Sequence, residues 1–393
     1  MKKRHLKLLG GATSLFVLLV ATVFYLLPRN TASIVSSPAP SSSQPWNNEI
    51  LRSVKSWDGK IASEWLIPGP FEQGVNAVLA MVNDSVYYYS VDDTYEVFQY
   101  DLLTKESQSL GTLDDFVIST DDSVLVDDVL YFPVATSKDG ISTNVCLFSI
   151  NTHTNVLSKC FQTETADLFT SIGRWHGSIL LLLHPLGTEN EFASSLVSFD
   201  PSSNQVKPLF DENELLANNK SLWAFATDES SVYVLSEKAK NDTSSFAIER
   251  YNNQLELTAS YDVKNDALTG RPLEMYVLEN DVLCIGDFNR TLQVMTLGSA
   301  AAITQQDAGV TSTRDKQKRC ALYYSQERLF YYDSTEKKLL SVPFLPSSNE
   351  QVMAVFTDGN KALIQCRRTE TVTADDMSYT WYYFDFFQLK EGA

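Results

Sequence analysis

Five cysteines and four histidines hold most of the chemistry that side chains of this chain could perform. Cys146 and Cys160 each lie seven residues from His153, the middle of the polar turn Asn151 to Asn155. A hairpin folded about that turn sets the two side chains opposite each other, with Cβ atoms about 4.5–5.5 Å apart. A non-hydrogen-bonded pair comes closer, so a disulfide is one expectation and two small buried thiols the other. Cys284, Cys320 and Cys366 lie in or beside apolar strands and read as core. No C-x-x-C, H-x-H or H-E-x-x-H spacing occurs, so zinc and dithiol redox sites are not indicated. No G-x-S-x-G elbow occurs either, which leaves acyl-transfer hydrolysis without support.

Carboxylates are abundant and repeatedly adjacent: Asp92-Asp93, Asp114-Asp115, Asp121-Asp122, Asp127-Asp128 and Asp375-Asp376. Calcium needs six to eight oxygens converging on one point, usually with D-x-[DN]-x-[DN]-G spacing. Neighbouring residues on a strand face opposite ways, so these pairs read as solvated turns. No cofactor is expected; a weak surface calcium site built from several loops is the one exception. A glycosidase needs two carboxyls held across a sugar bond, and the chain has carboxylates to spare, so a glycan-active enzyme is the alternative function. No individual residue is assigned a catalytic, cofactor or metal role.

The first 30 residues hold five of the 31 basic groups and no acidic one. Residues 31–393 therefore carry 26 basic against 49 acidic side chains, a formal net charge of −23. Such a body repels phosphate backbones, which sets nucleic-acid binding aside. Lys2, Lys3, Arg4 and Lys7 precede an uncharged apolar run, Leu8 to Leu27, of 20 residues. At 1.5 Å per residue it spans about 30 Å, a bilayer core. The basic flank predicts a cytoplasmic tail (1–7), a transmembrane helix (8–27) and a body outside the cytoplasm. A cleaved signal peptide ending near Thr31-Ala32-Ser33 is the competing reading, but the run is longer than the usual h-region of about 7–15 residues. A Ser/Pro-rich linker follows (28–45), whose 33–45 stretch is uncharged and reads as an extended stalk.

Ile50, Leu51, Val54 and Trp57 fall at helical spacing and predict a short helix within 46–60. Asp211 with Glu214 predicts a second helix start. Everything else, over 61–393, reads as strand. Seven apolar or aromatic strands each follow a turn rich in Asp, Asn, Glu or Gly. With Asp84, Asp128, Gly177, Glu229, Asn280, Gln326 and Gly359 as marks, the spacings are 44, 49, 52, 51, 46 and 33 residues. A second set of turns (101–105, 151–155, 200–204, 252–253) gives each repeat a further hairpin. Two hairpins per repeat make a four-stranded blade, so the expected fold is all-β, a seven-bladed β-propeller behind one transmembrane helix. Tandem β-sandwiches are the alternative. The last repeat lacks a strand, and Ile61 to Ile67 is the candidate to complete it. Aromatic runs (87–89, 323–324, 330–332, 381–387) face both ways and read as core between blades, with a sugar-binding platform as the functional alternative.

The turn, the V-Y-Y strand and the following Y/F-D-x-x-T/S over 70–391 resemble bacterial extracytoplasmic β-propellers of the WD40-like and quinoprotein-like kind. The chain has no G-H…W-D signature and only 16 glycines, so no ligand residue of that family is carried over. Together with the anchor read from 8–27, the resemblance implies an extracytoplasmic module that binds or scaffolds a protein or other ligand, with a protein or glycan partner outside the cell.

Overall fold

The computed structural model describes residues 55–56 and 63–65 and, with breaks at connecting segments, 76–385. The tail, transmembrane helix and linker expected over 1–45 lie outside the described residues. No described helix is long and apolar enough to cross a membrane.

Among the described residues, seven consecutive antiparallel units span 76–112, 116–162, 167–208, 220–263, 272–307, 311–343 and 350–385. In each, the strands pair in sequence order as a simple meander, with no crossover. In unit two the first strand is split into Phe116–Ile118 and Val124–Val126, both paired with Val129–Ser137. Unit seven has three strands of its own, and Ser63–Trp65 supplies the fourth by pairing with Trp381 to Tyr383. The candidate closing segment therefore sits where the short last repeat needs it. Units four and five also touch edge to edge through one parallel bridge, Val263 to Ala301.

First strands of successive units contact one another in units two to five, and again from six to seven. The first strand of unit seven, Glu350–Thr357, contacts that of unit one, Asn76–Val82. Leu363 and Phe356 of unit seven share a core with Val78, Met81, Tyr88 and Tyr100 of unit one. Lys361 of unit seven forms an ion pair with Asp84 of unit one.

The sheets of units one to four thus bury both faces, which explains the sequence of their strands. In the run 87–89, Tyr87 and Tyr89 pack against Leu130, Phe132 and Phe148 of unit two, while Tyr88 faces unit seven. In 178–184, Ile179, Leu181 and Leu183 face unit two, and Leu180 and Leu182 face unit four. A period of two on a doubly buried sheet reads as an unbroken apolar run. Gly173 sits where unit three meets Phe225 of unit four; a Cβ there would lie 2.8 Å from the ring, so only glycine lets the sheets approach this closely.

The turns follow local chemistry. Asp127 and Asp128 have φ of 46° and 62°, and His176 and Gly177 50° and 78°, the positive values that tight two-residue hairpins need. At the second hairpin of units one to four an Asx side chain caps the turn. Asp101 accepts from the Leu103 and Thr104 amides, Asn151 from His153 and Thr154, Asp200 from Ser202, and Asn252 from Gln254 and Glu256. Leu102 N then donates to Asp84 O at 2.7 Å, and Thr152 N to Asp128 O at 2.9 Å, tying the two turns together. Pro201 holds the matching place in unit three and has no N–H to give. The helix Glu212–Ala217 starts as expected, with Asp211 accepting from Asn213 N at 2.8 Å.

Two expectations are corrected. Lys55 and Ser56, assigned to a helix within 46–60, are extended and pair in parallel with Leu340 and Ser341. The open edge of Lys338–Pro343 offers unpaired backbone groups that outweigh a helical pattern of this length; the rest of 46–60 lies outside the described residues. In unit six the mark at 326 joins the second and third strands, not the first and second. The last spacing of 33 is therefore a shift of phase and not a shortened repeat.

Candidate functional site

The expected Cys146–Cys160 pair is not formed, and both are free thiols. A β-bulge between Leu147 and Phe148 leaves Cys160 as the extra residue, so Cys146 pairs with Gln162 instead. Cys146 packs toward unit one and Cys160 toward unit three, on opposite faces of the sheet. Burial pushes the Cys160 thiol up, and drives Cys366 to about 12, so neither is a ready nucleophile. Cys284 and Cys320 lie on strands.

His153 reaches Asp128 at 3.1 Å on the exposed turns of unit two, while His184 is buried. Among the described residues no three His, Cys, Asp or Glu side chains gather as a metal site would require. Of the five Asp pairs only Asp127-Asp128 lies within the described residues, where it forms a hairpin turn.

Unit four is where charge enters the core, on both faces of one sheet. On the face toward unit three, Glu249 is 4% exposed. Its Oε2 accepts from Lys220 Nζ at 2.5 Å and from the Tyr251 hydroxyl at 2.6 Å. Phe210 closes over Tyr251 with ring centroids 4.9 Å apart. The carboxylate is thus paired and hydrogen-bonded through Oε2, as a structural charge is.

The face toward unit five is different. Glu237 is 8% exposed and lies between Ser221 and Phe246 on the adjoining strands. Half-buried Trp223 donates from Nε1 to Ser221 Oγ at 3.0 Å, and its ring meets Phe246 edge to face at 5.4 Å and 81°. Among the described residues no hydrogen bond or ion pair reaches the Glu237 carboxylate. Among the described residues, this partnerless carboxylate, with Phe246 opposite it and Trp223 tied to its other neighbour Ser221, is the arrangement best suited to hold something.

A bulge presents Trp223. The register between Lys220–Thr227 and Val232–Lys240 shifts at Leu222/Ala224, leaving Trp223 as the extra residue. The displaced Leu222 amide donates to the buried Ser194 Oγ of unit three at 2.7 Å. Unit one repeats the device: Leu79 is the extra residue, and Ser123 of unit two donates to Leu79 O at 2.7 Å. First strands of units three and seven are bulged as well. Sequence reasoning missed this site because Glu237 lies in the polar triplet Ser-Glu-Lys, which reads as a solvated strand end, whereas the strand runs on to Lys240. A tryptophan interrupting an otherwise apolar first strand was the available signal.

No protein-family model matches the sequence, and no curated protein does. Among solved structures, a chain of a Saccharomyces cerevisiae assembly, titled as a Dbp5 variant bound to Nup159, a Gle1 variant, IP6 and ADP, aligns with a TM-score of 0.46 at 11% identity. The alignment covers 84% of this chain and 98% of that one. Saccharomyces cerevisiae Sqt1 aligns with a TM-score of 0.43 at 9% identity, over 79% of this chain and 86% of its own.

Proposed function

We propose that this chain is a seven-bladed β-propeller working as a binding or scaffolding module, carried outside the cytoplasm by a transmembrane helix at 8–27. The observation that carries the reading is the return of unit seven onto unit one, through a shared core and the Lys361–Asp84 ion pair. Tandem sandwiches have no reason to bring the last sheet onto the first, whereas a ring requires it. In-order meanders facing one another through their first strands fit the same geometry. Among the described residues the cysteines, histidines and capping Asx side chains lie in turns and core, which favours recognition as the role of the surface. The anchor rests on the uncharged 20-residue run and its basic flank.

A glycan-active enzyme would need two carboxyls about 5–10 Å apart across the scissile bond. The Glu237 cluster contributes one.

The test is chemical cross-linking of the full-length protein in its native membrane, followed by affinity recovery and mass spectrometry. The expected result is a reproducible protein partner that is lost when residues 61–393 are deleted. Recovery of the membrane-embedded protein alone, together with turnover of a glycan by the purified chain, would replace this reading. Protease shaving of intact cells tests orientation: the body is expected to be cut from outside, and full protection would refute it.

A further inference from the structure

We infer that the Glu237 cluster is a receptor for a cationic side chain, lysine or arginine, presented by a protein partner. This deepens the binding-module reading and rests on it. Glu237 is packed to 8% exposure while its carboxylate meets no described donor, so the charge is held at the edge of the core where a cation can reach it. Glu249 shows how the chain satisfies such a group when the role is structural: Lys220 and Tyr251 are both brought to it. Glu237 is buried to a similar degree and receives neither.

The walls of the cluster select the ligand. Trp223 and Phe246 stand nearly perpendicular, 81° apart, so they form a corner and not a flat platform. Aromatic faces with an anion at their base attract a compact cation, through the ring quadrupole and through charge. A sugar prefers a broad ring face to stack on. A divalent metal wants six or more oxygens, and this cluster offers one carboxylate and the Ser221 hydroxyl, which already accepts from Trp223. Lys238, the adjacent residue, is exposed and points to the opposite face of the strand. The net charge of −23 over residues 31–393 draws a basic partner toward the domain before contact.

The experiment uses full-length protein in detergent micelles, labelled at tryptophan so that each indole N–H gives an NMR signal. Trp223→Phe identifies the Trp223 signal by its loss. The probes are the acetylated methylamides of lysine and arginine, with that of norleucine as the uncharged control and methyl glucoside as the sugar control. The expected result is a saturable shift of the Trp223 signal with the two cations, none with norleucine, and at least about tenfold weaker binding in Glu237→Gln. Glu237→Gln keeps size and shape, and an unchanged melting temperature certifies its fold. Three results overturn the inference: no shift with either cation, equal binding in Glu237→Gln, or a shift with the sugar alone. If Glu237→Gln still captures the wild-type partner in the cross-linking experiment, the module reading stands and this inference falls. If no partner is captured by either form, the module reading itself falls.

Discussion

Glu249 and Glu237 lie twelve residues apart, on neighbouring strands and opposite faces of the unit-four sheet, and both are nearly inaccessible. One is met by an ammonium and a phenol; the other has Phe246 and the Trp223-bound Ser221 as its cross-strand neighbours and no described donor. Burial alone therefore does not say whether a charge is structural. What surrounds it does. The paired face should behave as part of the core and respond to mutation through stability. The unpaired face should respond through binding and leave stability nearly untouched.

The largest effect is expected on the paired face. Lys220→Met keeps most of the side-chain volume and leaves Glu249 charged and buried with only Tyr251 as a donor. Loss of one partner of a buried pair costs about 3–5 kcal/mol. Denaturant unfolding of the purified protein would show it. Removing the carboxylate as well, in Lys220→Met with Glu249→Leu, is expected to recover much of that loss. A single variant as stable as wild type would show that Glu249 is not the structural charge it is here taken to be.

Next comes the hinge between the two faces. Ser194→Ala removes the acceptor for the Leu222 amide, and an unpaired buried backbone group costs about 1–3 kcal/mol. Because that amide flanks the bulge, the Trp223 indole signal is expected to move as well. A destabilised variant with an unmoved Trp223 would separate the bulge from the cluster it presents.

Much of this was legible in the sequence, and the limits have physical causes. Turns are local: two residues at positive φ or an Asx cap need only their own side chains, so the marks at 84, 128 and 177 locate true hairpins. The closing strand at 63–65 was legible because a repeat short of one strand must find it elsewhere. Bulges are not local. Cys160 left its expected register because the strand packs Cys160 and Phe161 together against unit three. Trp223 left its own because Ser194, 29 residues earlier, receives the displaced amide. The mark at 326 mimicked the others because a polar break between apolar strands reads alike in sequence wherever it falls in the meander. Glu237 and Trp223 went unremarked since nothing in a single strand says which residues its neighbours will pair.

Alkaline pH separates the faces by a smaller margin. Burial first, then the hydrogen bond and charge of Glu249, push the Tyr251 hydroxyl above its ordinary value of 10.0. Burial and the Asp228 charge raise Tyr233 on the other face, but the Arg250 guanidinium, 5.4 Å from its ring centroid, opposes the rise. A raised folded value means the neutral form is favoured in the fold. The stability this confers is whole below pH 10 and is lost as pH climbs from there toward the folded value. Tyr251→Phe is expected to lose about 1 kcal/mol at neutral pH with the hydrogen bond, and to unfold less steeply above pH 10. An alkaline limb identical to wild type would remove Tyr251 from the account.

The smallest stability effect is expected at Glu237, and its smallness is the point. Glu237→Gln deletes a charge that no described group compensates, so melting should shift within about 0.5 kcal/mol, or toward greater stability. A core carboxylate held by donors would instead lose stability on neutralisation, as Glu249→Gln is expected to do. Measured side by side, the two glutamine variants separate the faces with one assay. Equal losses would mean that Glu237 is held by groups outside the described residues and serves the fold. A loss confined to Glu249→Gln would leave Glu237 as a charge the fold does not use, kept within reach of two aromatic rings for something the chain must bind.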